Sequence, residues 1–438
     1  MKPAQELPDV RVPPPGPRSR ELGGRLAAVE SPSVDARRAA RERDSGAEQA
    51  PIVYASARGV NVVDADGNRY VDFAAGFGAL LLGHGRAEVV SAFDEQHRKL
   101  GLALGDVYAS EAKLALCERL AGLYPVPGAR VMLGTSGADA VTAALKTAVL
   151  ATGRPGVVAF DGGYHGLSYG PLAACGLRAS FREPFARQLN AHVTFVPYPG
   201  SSMEASVAVV RGALGRGDVG AVLVEPILGR GGCVVPPPGF LASLRAACDE
   251  VGALLVCDEI WTGLGRSGAW LASVDEGVVP DVVCLGKGLG GGVPISACVG
   301  SERAMAAWGA HGGTTIHTAT HFGTPPACAA ALVTLEVLER ECLPERARTE
   351  GEGWMNRLRE RTTGLGVREV RGRGLMVGVT LEGGAARALT TTRRLLAGGW
   401  IVLTGGAAGD ALTLTPPLDV EGALLDAFTE ALTVALRP

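Results

Sequence analysis

The stretch CLGKGLGGG, residues 284–292, places a lysine among glycines directly after an apolar segment, residues 278–283, that is typical of a buried strand. Burial favours the uncharged form of an amine, and a neutral amine attacks carbonyl groups to form a Schiff base. An arginine cannot do this, because it keeps its proton near neutral pH. Among the chain's lysines only Lys287 has such apolar and glycine-rich surroundings; they are Lys2, Lys99, Lys113, Lys146 and Lys287. The sequence therefore indicates Schiff-base chemistry at Lys287.

Pyridoxal phosphate is the cofactor that uses such a lysine, together with a carboxylate at its pyridine nitrogen, an aromatic ring and donors for its phosphate. Asp258 ends the apolar segment ALLVCDEI and can supply the carboxylate. Ser136 and Gly137 begin a predicted helix, whose free N–H groups and dipole favour an anion. Tyr164, in DGGYHGLSYG, can stack on a ring. Each residue alone also fits a structural role, as a helix cap, an ion-pair partner or a packing aromatic, but together with Lys287 they favour pyridoxal phosphate.

Other sequence patterns for cofactor sites fit less well. Residues 286–291 and 263–268 both match GxGxxG, but neither match is followed by the acidic residue that a dinucleotide site needs about 20 residues later. The Gly-Lys pair at 286–287 lacks the upstream glycine and the following Ser or Thr of a P-loop. The histidines show no HExxH-type spacing, so we expect no metal.

Length and composition set the broad class. A chain of 438 residues exceeds one usual core and predicts two domains. A net charge of -3 argues against nucleic acid or an anionic membrane as the main partner. There is no long uncharged apolar run, and the first residues lack the hydrophobic segment of a signal peptide, so we expect a soluble cytoplasmic protein. The nine scattered cysteines contain no CxxC pair and are interpreted mainly as core residues.

Short apolar segments alternate with amphipathic ones from about residue 103, which predicts a mainly parallel sheet covered on both sides. The strand-like segments are ARVMLGT, GVVAFDG, GAVLVEPI, ALLVCDEI and DVVCLGK, and the segment PGFLASLRAACDEVG is typical of a helix with one apolar face. Residues 62–73, VVDADGNRYVDF, predict a β-hairpin earlier in the chain. Ligands of such sheets gather at the carboxyl ends of the strands. The residues that follow these strands are Thr135, Ser136, Gly137, Tyr164, His165, Glu225, Asp258 and Lys287.

Four longer segments carry a family resemblance over about residues 50–435: VEPILGRGG, CDEIWTGLGRSG, PDVVCLGKGLGGGVPISACVG and HTATHFGTPPACAAAL. In their order and spacing they resemble the class III pyridoxal-phosphate aminotransferases, which include ornithine, 4-aminobutyrate and ω-amino acid aminotransferases. The resemblance implies an α/β protein of fold type I, with a seven-stranded-type, mainly parallel sheet in the large domain. It also implies a smaller α+β domain built from both chain ends, and a homodimer with shared active sites.

The domain prediction has four parts. Residues 1–17 are expected to form a mobile N-terminal arm, and residues 18–102 the N-terminal part of the small domain. Residues 103–335 are expected to form the large cofactor-binding domain. Residues 336–438 then complete the small domain.

The resemblance assigns roles to individual residues. Lys287 is similar to the lysine that holds the cofactor and moves the proton, and Asp258 to the partner of the pyridine nitrogen. Thr320 resembles the threonine that reaches the phosphate from the neighbouring subunit. The implied cofactor-binding set is Ser136, Gly137, Ala138, Tyr164, His165, Glu225, Asp258, Trp261, Lys287 and Thr320. The implied substrate-binding set is Phe77, Tyr108, Glu225, Arg230 and Thr413.

Two departures from the family bear on the substrate. Trp261 stands where many members have Gln, Val or Ile near the cofactor hydroxyl. Thr413, in LTLTPPLDV, stands where the family often has the arginine that holds an α-carboxylate. Glu225 matches a glutamate that pairs with an active-site arginine in several members, and without that arginine it is expected to be an exposed anion facing the substrate. We therefore expect an amine donor without the usual α-carboxylate, such as a diamine or an amino sugar, and a carbonyl acceptor, unless Arg230 replaces the missing clamp.

Other reaction classes stay open at this point. An aminomutase of the glutamate-1-semialdehyde type, a racemase or a decarboxylase would use the same lysine and aspartate. A non-catalytic protein that binds pyridoxal phosphate is disfavoured, because Lys287, Asp258 and Thr320 are all present.

Overall fold

The computed structural model describes residues 5–310 and 312–437. The α-helices are α1 (Pro17–Ala27), α2 (Pro32–Ser45), α3 (Ala75–Gly78), α4 (Ala87–Lys99), α5 (Glu111–Leu123), α6 (Gly137–Thr152), α7 (Tyr169–Ala173), α8 (Glu204–Leu214), α9 (Phe240–Val251), α10 (Ala272–Asp275), α11 (Glu302–Met305), α12 (Pro325–Arg340), α13 (Leu343–Arg361), α14 (Gly384–Ala397) and α15 (Gly422–Leu436). The strands are β1 (Tyr54–Arg58), β2 (Asn61–Asp64), β3 (Arg69–Asp72), β4 (Arg130–Gly134), β5 (Gly156–Phe160), β6 (Val193–Val196), β7 (Val219–Val224), β8 (Leu254–Asp258), β9 (Val282–Leu285), β10 (Ser296–Gly300), β11 (Val367–Arg373), β12 (Met376–Leu381), β13 (Trp400–Ile401), β14 (Leu403–Gly405) and β15 (Ala411–Leu414).

The largest sheet has seven strands in the order β4-β10-β9-β8-β7-β5-β6. The pairs from β9 to β6 are all parallel. Strand β10 runs antiparallel to both β4 and β9. The chain between β9 and β10 contains only a short 3₁₀ turn, and so short a connection without a crossover helix returns the chain antiparallel. The predicted α/β class with a mainly parallel seven-stranded sheet is confirmed, with β10 as an addition that the sequence analysis had not placed.

The central strands β7, β8 and β9 are buried along their whole length. Helices α8 and α9 cover one face of the sheet through a core that contains Phe240 and Leu244, and helix α6 covers the other through Val141 and Ala144. Burial on both faces explains why these strands are continuous apolar runs rather than alternating ones. The same burial holds the carboxyl ends of the three strands in place, and Glu225, Asp258 and Lys287 lie at or just after these ends.

Two smaller four-stranded sheets, β1-β2-β3-β13 and β11-β12-β15-β14, combine the two ends of the chain. Strand β13 pairs in parallel with β3, so that residues some 330 positions apart become neighbours. An aromatic cluster joins these parts: the ring of Phe73 lies 4.8 Å from that of Phe428 and 5.4 Å from that of Trp400, between centroids. This confirms a smaller α+β unit built from both chain ends. The predicted domain boundary at 335/336 falls inside helix α12.

The segment predicted as a mobile arm makes hydrogen bonds to the rest of the chain within its described part, residues 5–17. Asp9 forms a β-bridge with Arg69. The side-chain oxygen of Asn68 accepts hydrogen bonds from the backbone N–H of Arg11 and Val12, at 2.8 and 2.9 Å. The β2–β3 hairpin, which is confirmed, therefore holds this segment. The prediction of mobility came from the proline-rich composition of the segment alone. Composition does not reveal that a hairpin elsewhere in the chain supplies hydrogen-bond partners for this segment. Residues 1–4 of the predicted arm lie outside the described residues.

No helix in the described ranges is long and apolar enough to cross a membrane. All nine cysteines are free thiols, and most of them are buried. Cys248, Cys257, Cys284 and Cys298 belong to the cores on either side of the central sheet, as the sequence analysis expected.

Candidate active site

Lys287 begins a 3₁₀ turn immediately after strand β9. Its φ angle is 33°, in the left-handed region that non-glycine residues avoid, which costs of order 1–3 kcal/mol. The turn is held from outside, because a Cβ atom at Gly288 would clash with the side chain of Leu81. The packing around the turn therefore holds Lys287 at the carboxyl edge of the sheet in a conformation that its own backbone disfavours.

The Lys287 amine is surrounded by protein groups of both signs. Loss of hydration on burial lowers its pKa to about 8, although the negative charges of Asp258 and Glu225 act in the opposite direction. The positive charge of Arg230 lowers the pKa further. Nζ lies 4.4 Å from the centroid of the Trp261 ring. A larger fraction of this amine than of an ordinary lysine is therefore neutral, and nucleophilic, near neutral pH.

Trp261 fits under Lys287 because two glycines leave space for its indole ring. A Cβ atom at Gly78 would clash with Nε1 of Trp261, and a Cβ atom at Gly229 would clash with the six-membered part of the ring. The indole N–H is buried and has no hydrogen-bond partner within the described residues. The sequence analysis placed Trp261 at the cofactor but missed both glycines, which are far from it in sequence.

Asp258 ends strand β8 and is buried together with His165. One carboxylate oxygen lies 2.7 Å from Nδ1 of His165, and the other accepts the N–H of Ile260 at 3.1 Å. Burial alone would lower the pKa of His165, but the hydrogen bond and the charge of Asp258 outweigh this and raise the pKa. His165 thus fixes the orientation of a buried carboxylate, which is the group required beside a protonated ring nitrogen.

Glu225 corrects one expectation from the sequence. It was expected to be an exposed anion facing the substrate, but it is 4% exposed. Its two oxygens accept the backbone N–H of Tyr164 at 2.7 Å and of Gly229 at 2.9 Å. Burial, as the largest cause, raises its pKa to about 7. The end of β7 lies too deep for a free anion, and Glu225 instead joins the loop that carries Tyr164 to the loop that carries Gly229.

The start of helix α6 provides a site for an anion. Ser136 caps the helix by accepting the N–H of Asp139 at 3.2 Å, and the Asp139 carboxylate accepts the N–H of Ser136 at 2.9 Å. Burial would raise the pKa of Asp139, but hydrogen bonds from Thr135 and Ser136 lower it. The capping box leaves the N–H groups of Gly137 and Ala138 at the open helix end, where the helix dipole favours a phosphate. A Cβ atom at Gly137 would come 2.8 Å from Ile260, so only glycine fits there without a shift.

A cavity of about 260 Å³ adjoins Trp261. Phe77, Arg230 and Thr413, which the sequence predicted at the substrate, all line it. The guanidinium of Arg230 lies 4.6 Å from the centre of the Tyr164 ring. The remaining lining residues are Val34, Arg37, Arg38, Arg41, Trp261, Leu403, Thr404 and Gly405. The cavity is therefore rich in arginine.

Comparison with known proteins agrees with this geometry. Residues 43–436 match the family model described as aminotransferase class-III. The chain belongs to this family. Acetylornithine aminotransferase of Mycobacterium bovis is 40% identical over 88% of this chain and 92% of its own. That of Methanopyrus kandleri is 38% identical over 88% and 95%.

Solved structures confirm the predicted fold type I class. An amine transaminase from an uncultivated Pseudomonas species, in its pyridoxal-phosphate-bound form, superimposes with a TM-score of 0.82 at 30% identity, covering 88% of this chain and 94% of its own. Ornithine aminotransferase of Toxoplasma gondii gives 0.81 at 29% identity, covering 95% and 97%. Pyridoxal phosphate is the cofactor of this aminotransferase, and the buried lysine, the buried carboxylate and the open helix end fit it.

Two residues of the predicted site are exposed in the single chain and do not line the cavity. Tyr108 is 68% exposed and lines neither the cavity beside Trp261 nor a second cavity, lined by Arg178, that shares residues with it. Thr320 is exposed as well, and no hydrogen bond joins its side chain to another described residue. The single chain does not test whether Thr320 reaches the cofactor phosphate of a second subunit, and this stays a prediction.

The sequence analysis missed the arginines of helix α2. They belong to the segment DARRAARERD, residues 35–44, which by itself is typical of a solvated helix face. The available signal was the i, i+4 spacing of Arg37 and Arg41, which places both on one face of a helix. No group of three or more His, Cys, Asp and Glu side chains in the described part of the chain could hold a metal ion.

Proposed function

We propose that this aminotransferase transfers an amino group between a donor and a carbonyl acceptor that carry a carboxylate near the reacting carbon, and that Arg230 binds this carboxylate. The observation that carries the proposal is the position of Arg230. It lines the cavity beside Trp261 and Thr413, stacks on Tyr164, and has no acidic partner among residues 5–310 and 312–437. An arginine without a counter-ion at the edge of the reaction site is suited to bind an anionic substrate.

The competing substrate class is the one expected from the sequence, an amine without a carboxylate such as a diamine or an amino sugar. Thr413 supports it, because this residue cannot bind a carboxylate as an arginine does. The charge of the cavity argues against it, since Arg37, Arg41 and Arg230 would repel the second ammonium group of a diamine. The names of the relatives also support an anionic substrate, because acetylornithine carries a free carboxylate, although its free amine lies at the opposite end of the molecule from that carboxylate.

The roles that we propose for the residues follow from their positions. Pyridoxal phosphate, when bound, supplies the aldehyde and a ring that accepts electrons from the substrate carbon. The neutral amine of Lys287 would hold the cofactor and then move a proton at the substrate carbon. Asp258, oriented by His165, would keep the pyridine nitrogen protonated. Tyr164 would lie against the ring.

Family membership supports amino transfer over the aminomutase, racemase and decarboxylase alternatives. A transaminase converts each donor molecule into one carbonyl product that leaves the enzyme, with no carbon dioxide. Quantifying the keto product and carbon dioxide per donor consumed separates these classes. Recovery of the isomeric amine or of the enantiomer, without a free keto product, would contradict amino transfer.

We also propose that the enzyme is a homodimer in which Thr320 completes the partner's site. The exposed apolar side chains of Leu102, Leu104, Val107 and Tyr108 support this, because a lone soluble chain rarely leaves such a group uncovered. The cytoplasmic location stays a prediction from the sequence.

Stopped-flow absorbance of the bound cofactor tests the substrate proposal. The holoenzyme is mixed with L-glutamate, L-alanine, putrescine and glucosamine. We expect the two amino acids to react faster, and Arg230→Ala to reduce their kcat/KM by roughly 10- to 100-fold, which corresponds to one charged hydrogen-bonding group. Arg43→Gln is the matched control, because Arg43 is an exposed arginine of α2 that lines neither cavity. Faster reaction with putrescine or glucosamine, unchanged in Arg230→Ala, would refute the proposal and favour the competing class.

A further inference from the structure

We propose that Arg37, Arg41 and Arg178 form a second anion subsite, beyond Arg230, which binds a carboxylate or phosphate at the far end of the substrate. This inference deepens the proposed function and rests on it for the position of the reacting end. It predicts a preference for elongated amino compounds with two anionic groups.

The proposed subsite lies in a cavity next to the one beside Trp261. A second cavity, of about 370 Å³, is lined by Arg178. It shares several lining residues with the cavity beside Trp261, namely Arg37, Arg41, Arg230, Thr404 and Gly405. The two cavities are therefore adjacent, and the first reaches Trp261, whose ring centroid lies 4.4 Å from Nζ of Lys287.

The positive charges of Arg37, Arg41 and Arg178 are not balanced by acidic side chains in the described part of the chain. Within the described residues, neither Arg37 nor Arg178 forms an ion pair or a side-chain hydrogen bond, and Arg41 donates only to the hydroxyl of Thr404, at 2.7 Å. Burial, followed by the like charges of Arg230 and Arg178, lowers the pKa of Arg37. Asp44 also lines the second cavity, but it forms no ion pair with these arginines. Positive groups held together without counter-ions repel one another, and an anionic ligand removes that repulsion.

The three arginines come from two separate elements of the chain, helix α2 and the loop after α7. Arg37 and Arg41 are one turn apart on α2, about 6 Å along the axis, so their guanidinium groups can reach one anion from the same side. Arg178 approaches from the loop after α7, which belongs to the large domain. The remaining wall is largely apolar, with Leu177, Phe181 and Leu389. This wall suits a methylene chain between the two anionic ends of a substrate.

A matched series of donors tests the subsite in the holoenzyme. The donors are L-norleucine, which ends in a methyl group, L-2-aminoadipate, which ends in a carboxylate, and L-2-amino-5-phosphonopentanoate, which ends in a phosphonate. We expect Arg37→Gln and Arg178→Gln to lower kcat/KM for the two anionic donors, relative to norleucine, by about tenfold each. Arg43→Gln removes the same charge from α2 outside the cavities and should leave this ratio unchanged. An equal loss for all three donors, or no loss, would overturn the subsite.

A binding measurement separates this inference from the proposed function. Calorimetric titration of the holoenzyme with glutarate and with inorganic phosphate should give binding that weakens about tenfold in Arg37→Gln and Arg178→Gln but not in Arg43→Gln. The visible absorbance of the bound cofactor should be the same in all four proteins, which excludes an effect on the cofactor phosphate. If no donor reacts while this pattern of binding holds, the proposed function fails and the subsite stands. Binding that is absent, or equal in all four proteins, overturns the subsite.

Discussion

Capture of pyridoxal phosphate by the cofactor-free enzyme should report the ionisation of Lys287. An ordinary lysine has a pKa of 10.5, whereas burial lowers that of Lys287 to about 8. At pH 7 this raises the neutral fraction of the amine from about 0.03% to about 9%, or roughly 300-fold. The rate of covalent capture should therefore rise with pH and level off just above pH 8.

Charge changes near Lys287 should move this midpoint in predictable directions. Arg230→Ala removes a positive charge that lowers the pKa of Lys287, so the midpoint should rise. Glu225→Gln removes a negative charge that raises this pKa, so the midpoint should fall. Opposite shifts in the two variants would show that the charges act through Lys287 and not through a general loss of structure.

The assay is stopped-flow absorbance after mixing cofactor-free enzyme with pyridoxal phosphate between pH 6 and pH 10.5. The cofactor has ionisable groups of its own, so the rate is divided by that of N-acetyl-lysine methylamide under the same conditions. Lys287→Ala should show no covalent capture. The resulting ratio of the two rates should be constant below about pH 8 and fall at higher pH, because the reference amine continues to lose its proton up to a pKa near 10.5 while Lys287 is already neutral. A ratio that stays constant up to pH 10 would refute the reasoning, because Lys287 would then titrate as an exposed lysine.

Three further predictions concern single residues. Asp258→Asn should bind the cofactor but lose roughly two or more decades in kcat, because a neutral partner no longer stabilises the protonated pyridine nitrogen; a loss under tenfold in steady-state assays would make Asp258 structural. Mixing the inactive variants Lys287→Ala and Thr320→Ala should restore activity, since one site of the mixed dimer keeps both residues; no recovery after proven subunit exchange would contradict a contribution across the interface. Gly78→Ala should displace the indole of Trp261, lower the Tm and change the quenching of tryptophan fluorescence by the bound cofactor, whereas an unchanged Tm and spectrum would show that the ring is not confined there.

Much of the fold could be predicted from the sequence, because the relevant signals are local. The buried strands β7, β8 and β9 are short apolar runs separated by amphipathic helices, and this alternation is specific for a parallel sheet. The rule that ligands bind at the carboxyl ends of such strands then selected Asp258 and Lys287 before any contact was known. The direction of β10 could not be predicted in this way, since its apolar residues do not reveal which way it runs.

Features of the site that depend on long-range contacts were not predictable from local patterns. Glu225 has the same neighbours in sequence whether it is exposed or buried, and only the closeness of the loops at Tyr164 and Gly229 made it a buried acceptor of backbone hydrogen bonds. The space for Trp261 likewise depends on Gly78.

The sequence by itself indicated the Schiff-base chemistry of the cofactor, because a lysine, an aspartate and a helix start follow the strands of a recognisable sheet. Only the tertiary structure decided the electrostatic character of the substrate cavity. Arg37 and Arg41 lie on a polar helix whose composition equally suits full solvation. The packing of that helix beside Thr404 brings both arginines to the cavity of Arg230, and contacts between segments more than 180 residues apart depend on how the whole chain folds and not on the pattern of either segment.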